Sequence, residues 1–468
     1  MLTDKAVCEL FPEATNLIPV PSQPGVVRVM NDRQPVGIGF YTDDVLPIPA
    51  YSGKPVRTFV ALDMAGTIVG LKIVSHEEPI LVVGVRPTDL EKFVDQYVGK
   101  QVSDKLKLGR QVREGYTNID GLSGATITSI VINKSVTVAA KKVYSLVTDQ
   151  ALSPEPEEPL WFQSWKEGLW KIIVLLTGLG VLLFVMFFQD WFVVHPAVFA
   201  SLRTGYLIFT VLFIGIVCGA QLSVFNIFAF SRVLKEGFEW DSFLIDPVVY
   251  ILWAFVALSI LLWGRGVFCG WLCPFGAVQE LVHKISRSLN LKQYAFPELV
   301  HERLWAIKYF VLLSLVGLSL DSIERVIPFI EVEPFKTVFS LNFNRSAAFV
   351  VYAIILIVVS AFNTKFYCKY VCPLGAALSI ATRFRIFDWL RRYNECGSPC
   401  QVCSVDCSVG AIRSTGEIIE TECHYCLECQ STYWDEARCP VMVKKRDRRE
   451  RHARREQLIP QQPRDITD

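Results

Sequence analysis

Gly168-Leu-Trp-Lys-Ile-Ile-Val-Leu-Leu-Thr-Gly-Leu-Gly-Val-Leu-Leu-Phe-Val-Met-Phe-Phe188 is the stretch that decides the class of fold. The hydrocarbon core of a bilayer takes about 20 apolar residues in one helix, and this stretch meets that requirement. Four more apolar stretches follow, at about 204–230, 244–264, 305–320 and 347–363, the last two short. They account for a chain that is 51% hydrophobic, with a mean hydropathy of +0.34. The apolar excess lies between about residues 168 and 364, which points to membrane spans rather than an enlarged soluble core. An α-helical transmembrane bundle of about five spans is therefore expected. Val326–Leu341 is also apolar but holds Pro328 and Pro334, and reads as a loop or interfacial segment on the outer side.

The cationic residues orient these spans. The loop after the third carries Arg265, Lys284, Arg287, Lys292 and Arg303, and the tail from Lys444 to Arg455 is crowded with Lys and Arg. The loop between the second and third has only Arg232 and Lys235. Positive loops stay in the cytoplasm, so the third loop and the tail are predicted inside and residues 1–165 outside. The basic tail suits a surface near anionic lipid. Residues 1–35 show no basic region followed by an apolar one, so no signal peptide is read there.

An internal repeat follows the third and fifth spans. Phe268-Cys269-Gly-Trp-Leu-Cys273-Pro274-Phe275-Gly276-Ala277 matches Tyr367-Cys368-Lys-Tyr-Val-Cys372-Pro373-Leu374-Gly375-Ala376. On a helix, residues four apart share a face, so each pair is expected to present two thiols together. Cys269, Cys273, Cys368 and Cys372 are candidates for one further metal or redox site. Redox-active dithiols, or small residues at a helix start, remain open alternatives.

Eight of the 14 Cys crowd into the last part of the chain. Cys396-x3-Cys400-x2-Cys403-x3-Cys407 is followed by Cys423-x2-Cys426-x2-Cys429-x9-Cys439-Pro440. Such crowding indicates thiolate ligands in a reducing compartment rather than a disulfide framework. Short spacings let one loop place three thiolates on one cubane, and in the bacterial two-cluster ferredoxin run the fourth Cys serves the other cluster. That pattern predicts Cys396, Cys400, Cys403 and Cys439 for one [4Fe–4S] cluster and Cys407, Cys423, Cys426 and Cys429 for a second. Zinc is the competing reading of C-x2-C pairs. The chain has six His, none in the middle of a span and none in C-x-x-C-H, so no haem is expected. No carrier for crossing the hydrocarbon layer is thereby obvious.

From about Val36 to Val147 the chain reads as a small α+β domain. Strands are expected at Thr58–Leu62, Thr67–Val74 and Pro79–Val83, and helices at Leu90–Val98 and Ile130–Leu146. An acidic, Pro-rich linker follows Ala151. The last helix is preceded by Asp120-Gly-Leu-Ser123-Gly124-Ala125-Thr126-Ile-Thr128-Ser129. Small residues leading into a helix suit a phosphate, whose oxygens meet converging backbone N–H groups. They equally suit a plain N-cap. Glu77, Glu78 and Pro79 after His76, and Ser52-Gly53-Lys54, either line a ligand here or form a solvated loop.

This stretch resembles the flavinylation motif of the FMN-binding domains of the sodium-pumping NADH–quinone reductase, the Rnf complex and the NosR family. The resemblance implies FMN joined through its phosphate to Thr128 by a flavin transferase using FAD, with Asp120, Ser123, Gly124, Ala125 and Thr126 completing the motif. The order of parts, with Leu46-Pro-Ile-Pro-Ala-Tyr51-Ser52-Gly53-Lys54-Pro55 and His76-Glu77-Glu78-Pro79-Ile80, resembles the NosR/NirI family over nearly the whole chain. The resemblance implies a multidomain protein of the bacterial or archaeal cytoplasmic membrane. Its expected parts are an extracytoplasmic FMN-binding domain (1–150), a linker (151–167), a transmembrane domain with two C-x3-C-P motifs (168–390), a two-cluster ferredoxin domain (391–442) and a basic cytoplasmic tail (443–468).

The implied function is electron transfer between cytoplasmic clusters and outer flavin, in support of nitrous oxide reductase or its copper-maturation proteins, with a cytoplasmic or quinone electron donor. Such a chain is an electron-transfer component rather than a stand-alone enzyme. A redox-sensing membrane regulator of denitrification genes is the alternative. No helix-turn-helix or zinc finger is visible, so direct nucleic-acid binding is not expected. An ion-pumping subunit ranks third, because the spans show no obvious buried carboxylates.

Overall fold

In the computed structural model, residues 9–458 are described apart from 51–53, 79–84, 109–114, 123–125, 149–159, 231–243, 398–399 and the single positions 22, 33, 77, 86, 229, 245, 322, 388 and 394. The chain divides into two units. One comprises residues 1–172, 223–250 and 313–353, the other 173–222, 251–312 and 354–468.

The first unit contains an antiparallel meander, β1 (Asn16–Pro19), β2 (Val26–Asn31), β3 (Gln34–Tyr41), β4 (Arg57–Asp63) and β5 (Ile68–Ser75), in the order β1-β2-β3-β4-β5. A period of two sorts its side chains onto two faces. Val60 and Leu62 of β4 turn, with Ile38 and Phe40 of β3, to the core shared with Val131, Ile132, Val136, Ala139 and Val143. Those last residues belong to α2 (Thr126–Thr148), whose spacing puts them on one helix face. Phe59 and Ala61 turn the other way, against Phe11, Val29 and Tyr41. α1 (Pro87–Asp95) adds Phe93 and Val94 to the larger core. A short parallel pair, β6 (Leu106–Leu108) with β7 (Thr117–Ile119), delivers the chain to Asp120. The helix expected at Ile130–Leu146 thus starts four residues earlier, and the strand expected at Pro79–Val83 lies outside the described residues.

Among the described residues, three helices are long and apolar enough to cross a membrane: α3 (Leu169–Phe187), α4 (Pro196–Phe209), which continues as a π-helix to Val217, and the helix Glu298–Asp321. Two shorter apolar helices, Pro247–Trp263 and Ala347–Phe362, coincide with the third and fifth expected spans. The second stretch begins earlier than its apolar run suggests, because Pro196 at the first helical position starts the helix eight residues before 204. Val326–Leu341 consists of short turns: a 3₁₀ segment at Ile327–Val332 and a π turn at Lys336–Ser340.

Candidate functional site

Each C-x3-C-P motif breaks its helix at the second Cys. Cys269 lies in a π turn, Phe268–Leu272, and Cys368 in a helical turn, Phe366–Tyr370. Cys273 and Cys372 then leave helical geometry, with ψ of 111° and 110°. The cause is the following proline, whose ring pushes the preceding residue to extended backbone. The expectation of two thiols one turn apart on a single helix is therefore corrected. Each second Cys instead caps the next helix: Cys273 Sγ accepts from Gly276 N at 3.4 Å at the start of Pro274–Ser288, and Cys372 Sγ from Gly375 N at 3.2 Å at the start of Pro373–Ala381.

The two motifs share polar contacts. Gln279 donates to Cys368 Sγ at 3.1 Å, and its oxygen accepts from Tyr367 N and Ser360 Oγ. Gln221 donates to Cys273 Sγ at 3.5 Å. Burial pushes the Cys273 thiol well above its ordinary range, with Cys368 and Cys269 adding to the shift; burial likewise pushes Cys368 up to about 11. A buried thiol of this kind stays protonated until something cationic binds it.

Cations surround the motifs. Arg265, four residues before Cys269, donates to Gly375 O at 2.6 Å and to Glu422 at 3.3 Å. Lys308 also donates to Glu422, and Tyr309 bonds its other oxygen at 3.2 Å. Arg203 grips Glu280 through two nitrogens, at 3.1 and 2.8 Å, and Lys365 lies 2.9 Å from the same carboxylate. Although burial alone would raise it, these two cations hold the Glu280 carboxyl below its usual range. Among the described residues of this unit, the buried cations Arg203, Arg265, Lys308, Lys365 and Lys369 face only two buried carboxylates, Glu280 and Glu422.

The eight-Cys run packs directly on these motifs. Trp271, buried between Cys269 and Cys273, donates from Nε1 to Tyr425 O at 3.0 Å. A Cβ on Gly270 would stand 2.0 Å from His424 O, so only glycine permits this approach. In the second motif Tyr370 occupies the position equivalent to Trp271. Its hydroxyl meets His301 Nδ1 at 2.6 Å, and His301 in turn lies against Gly410, three residues after Cys407. His424 is fully buried; burial, Lys365 and Arg265 keep its imidazole well below the usual range.

Cys396, Cys400, Cys403 and Cys439 line one small cavity. Cys407, Cys423, Cys426 and Cys429 line another, of about 800 Å³, which Cys403 also borders. Ala411 N donates to Cys407 Sγ at 3.3 Å and Tyr425 N to Cys423 Sγ at 3.4 Å. Burial pushes Cys423 up to about 12 and raises Cys403, Cys407, Cys426 and Cys429. Soft sulfur donors, with backbone N–H groups aimed at two of them, suit iron–sulfur clusters, whose potentials such hydrogen bonds tune. Among the described residues, no three His, Cys, Asp or Glu side chains converge as ligands of a single ion.

In the first unit, Thr128 lies in the first turn of α2, 1% exposed, and donates to Glu78 Oε2 at 2.7 Å; Glu78 is fully buried. Ser129 Oγ accepts from Leu122 N at 2.9 Å and Asp120 N donates to Gln96 at 2.7 Å. A buried hydroxyl beside a carboxylate at a helix start fits attachment of a phosphate ester. Ser123, Gly124 and Ala125 lie outside the described residues, as do Ser52, Gly53, Glu77 and Pro79 and the side chain of Thr126.

Three family models match the chain: an FMN-binding domain at residues 51–141, a 4Fe-4S binding domain at 245–292 and again at 346–392, and NosR at 394–450. Over 309 residues the chain is 52% identical to "Regulatory protein NosR" of Stutzerimonas stutzeri, covering 66% of this chain and 42% of the relative. Over 93 residues it is 53% identical to a "Regulatory protein NosR" of Pseudomonas aeruginosa, covering 20% of this chain and 93% of that one. The chain belongs to the NosR/NirI family. It is also 44% identical over 295 residues to "Protein NirI" of Paracoccus denitrificans, covering 63% of this chain and 43% of the relative. This NosR/NirI chain thus spans less than half the length of the longer relatives it matches. The 4Fe-4S model falls on the two C-x3-C-P repeats, whose role the residues alone left open.

Sequence reasoning missed Arg203, Arg265, Glu280, Lys308, Lys365 and Glu422. Only two carried a signal: Arg265 and Lys365 precede the first Cys of each repeat by four and three residues.

Proposed function

We propose that this chain is a membrane redox protein carrying electrons between C-terminal 4Fe–4S clusters and covalent FMN on Thr128, in support of nitrous oxide reductase or its copper maturation. The observation that carries the reading is the Trp271–Tyr425 hydrogen bond, which joins the first C-x3-C-P turn to the Cys423–Cys426 loop. The cluster assignments remain those of the spacing: Cys396, Cys400, Cys403 and Cys439 for one, Cys407, Cys423, Cys426 and Cys429 for the other. When bound, the clusters supply one-electron chemistry and the flavin both one- and two-electron chemistry.

Cys269, Cys273, Cys368 and Cys372 form a third centre in this proposal. The buried cation excess around them supports it, because uncompensated buried charge is expensive and metal-bound thiolates would neutralise it. Gln279 and Gln221 orient two of the sulfurs, and the capping N–H groups of Gly276 and Gly375 hold the other contacts.

The flavin domain lies outside the cytoplasmic membrane and the clusters and C-terminus inside. Lys and Arg placement supports this topology. So does the chain's division, since Val326–Leu341, expected on the outer side, shares a unit with the flavin domain. The proposed partners are a flavin transferase and a cytoplasmic or quinone donor.

A second reading, a redox-sensing regulator of denitrification genes, is favoured by the word "Regulatory" in the names of relatives. A deletion strain complemented with wild type or Thr128→Val separates the two. Loss of nitrous oxide consumption with reductase still made supports electron transfer; loss of the reductase transcript supports regulation.

A further inference from the structure

Thr128 and Glu78 come from elements 50 residues apart, yet their side chains meet at 2.7 Å in the interior of the first unit. A threonine hydroxyl is a weak nucleophile until a neighbouring base takes its proton. A carboxylate within about 2.6–3.2 Å is placed for that task. The adjacent hydroxyl, Ser129, is turned to Leu122 N instead. Thr128 thus pairs a nucleophile directly with a carboxylate within this motif.

We propose that Glu78 is the general base for the flavinylation of Thr128, and that it keeps the proton afterwards to hold the flavin phosphate. This rests on Thr128 being the attachment site. In the step, Thr128 Oγ1 bonds to the flavin-side phosphorus of FAD, the phosphoanhydride bond breaks, and AMP leaves with the bonding electron pair. The Thr128 proton passes to Glu78 Oε2, so atoms and charge balance without a redox partner. The product is a phosphodiester monoanion beside Glu78. An ionised carboxylate there would repel it across a buried gap, whereas a protonated one donates a hydrogen bond to a phosphate oxygen. One proton thus serves both attack and retention. Thr128 is 1% exposed, so the transferase meets it after local opening.

The test uses the full chain in membranes with purified flavin transferase, magnesium and FAD, following covalent fluorescence on denaturing gels and the mass of the modified peptide. General-base catalysis contributes about 10²–10⁴-fold, so Glu78→Gln should slow flavinylation by about 100-fold or more. The wild-type-to-E78Q rate ratio should shrink towards acid pH, where Glu78 is protonated, a signature that a packing role would not produce. Flavinylation of E78Q within about 2-fold of wild type, or a ratio independent of pH, overturns the proposal. Should E78Q not accumulate, Glu78→Asp decides: a slowed rate with its pH dependence kept is expected, and an unchanged rate overturns the role. Covalent flavin persisting in Thr128→Val would instead overturn the attachment site itself.

Discussion

Gly270→Ala tests the contact on which the redox reading leans. The added Cβ would sit 2.0 Å from the His424 carbonyl oxygen, where real Cβ contacts essentially never fall below 3.0 Å. The motif turn and the Cys423–Cys426 loop must therefore separate by about 1 Å. Backbone lies on both sides, so no rotamer change relieves the clash. Overpacking of this kind destabilises by about 1–3 kcal/mol. The same displacement stretches the Trp271–Tyr425 hydrogen bond from 3.0 Å to about 4 Å, beyond useful geometry. Losing it adds about 1 kcal/mol. The combined loss is about 2–4 kcal/mol, read as an earlier thermal unfolding midpoint of purified holoprotein in detergent, with bleaching of cluster absorbance moving in step. Gly205→Ala is the control, since nothing lies within 4 Å of its Cβ and alanine is the better helix former. Wild-type stability and cluster spectra in Gly270→Ala would refute the close approach.

Other predictions follow from the same geometry. Glu422→Gln leaves Lys308 and Arg265 buried without their carboxylate, which should destabilise by about 3–5 kcal/mol in detergent unfolding, whereas Arg413→Ala, half-exposed, should change stability by less than about 1 kcal/mol. Cys400→Ser should remove one cluster's electron paramagnetic resonance signal and Cys426→Ser the other; loss of both signals from either variant would refute the proposed division of ligands. Glu333, buried and accepting from Ser223 and Val224, is pushed up to about 7 by desolvation. Its folded-state value exceeds the unfolded one, so its stabilisation is complete below about pH 4.5 and is lost as pH rises through about 7. Unfolding midpoints should fall over that window, and Glu333→Gln should flatten the fall.

What the sequence made legible was local. The Cys spacings, the apolar stretches and the small-residue entry to α2 each state their chemistry within a few neighbouring residues. Pro274 and Pro373 were visible too, but their effect on the preceding Cys was not drawn from them, and the thiols were expected one turn apart. Long-range pairings were invisible for a different reason. Arg265 meets Glu422 across 157 positions and Trp271 meets Tyr425 across 154, and single residues at such separations carry no periodic signal. Glu78 was noticed as a residue that could line the flavin, yet nothing in its neighbours distinguished a buried partner of Thr128 from a solvated loop.

The most direct test of electron transfer across the membrane uses inside-out vesicles holding the flavinylated full chain, with dithionite, an anionic reductant, added to the bath. Wild type should show bleaching of the C-terminal clusters and then reduction of the enclosed flavin, whereas Cys273→Ser should still bleach the clusters but leave the flavin oxidised. Flavin that stays oxidised in wild type while the clusters are fully reduced would contradict the account.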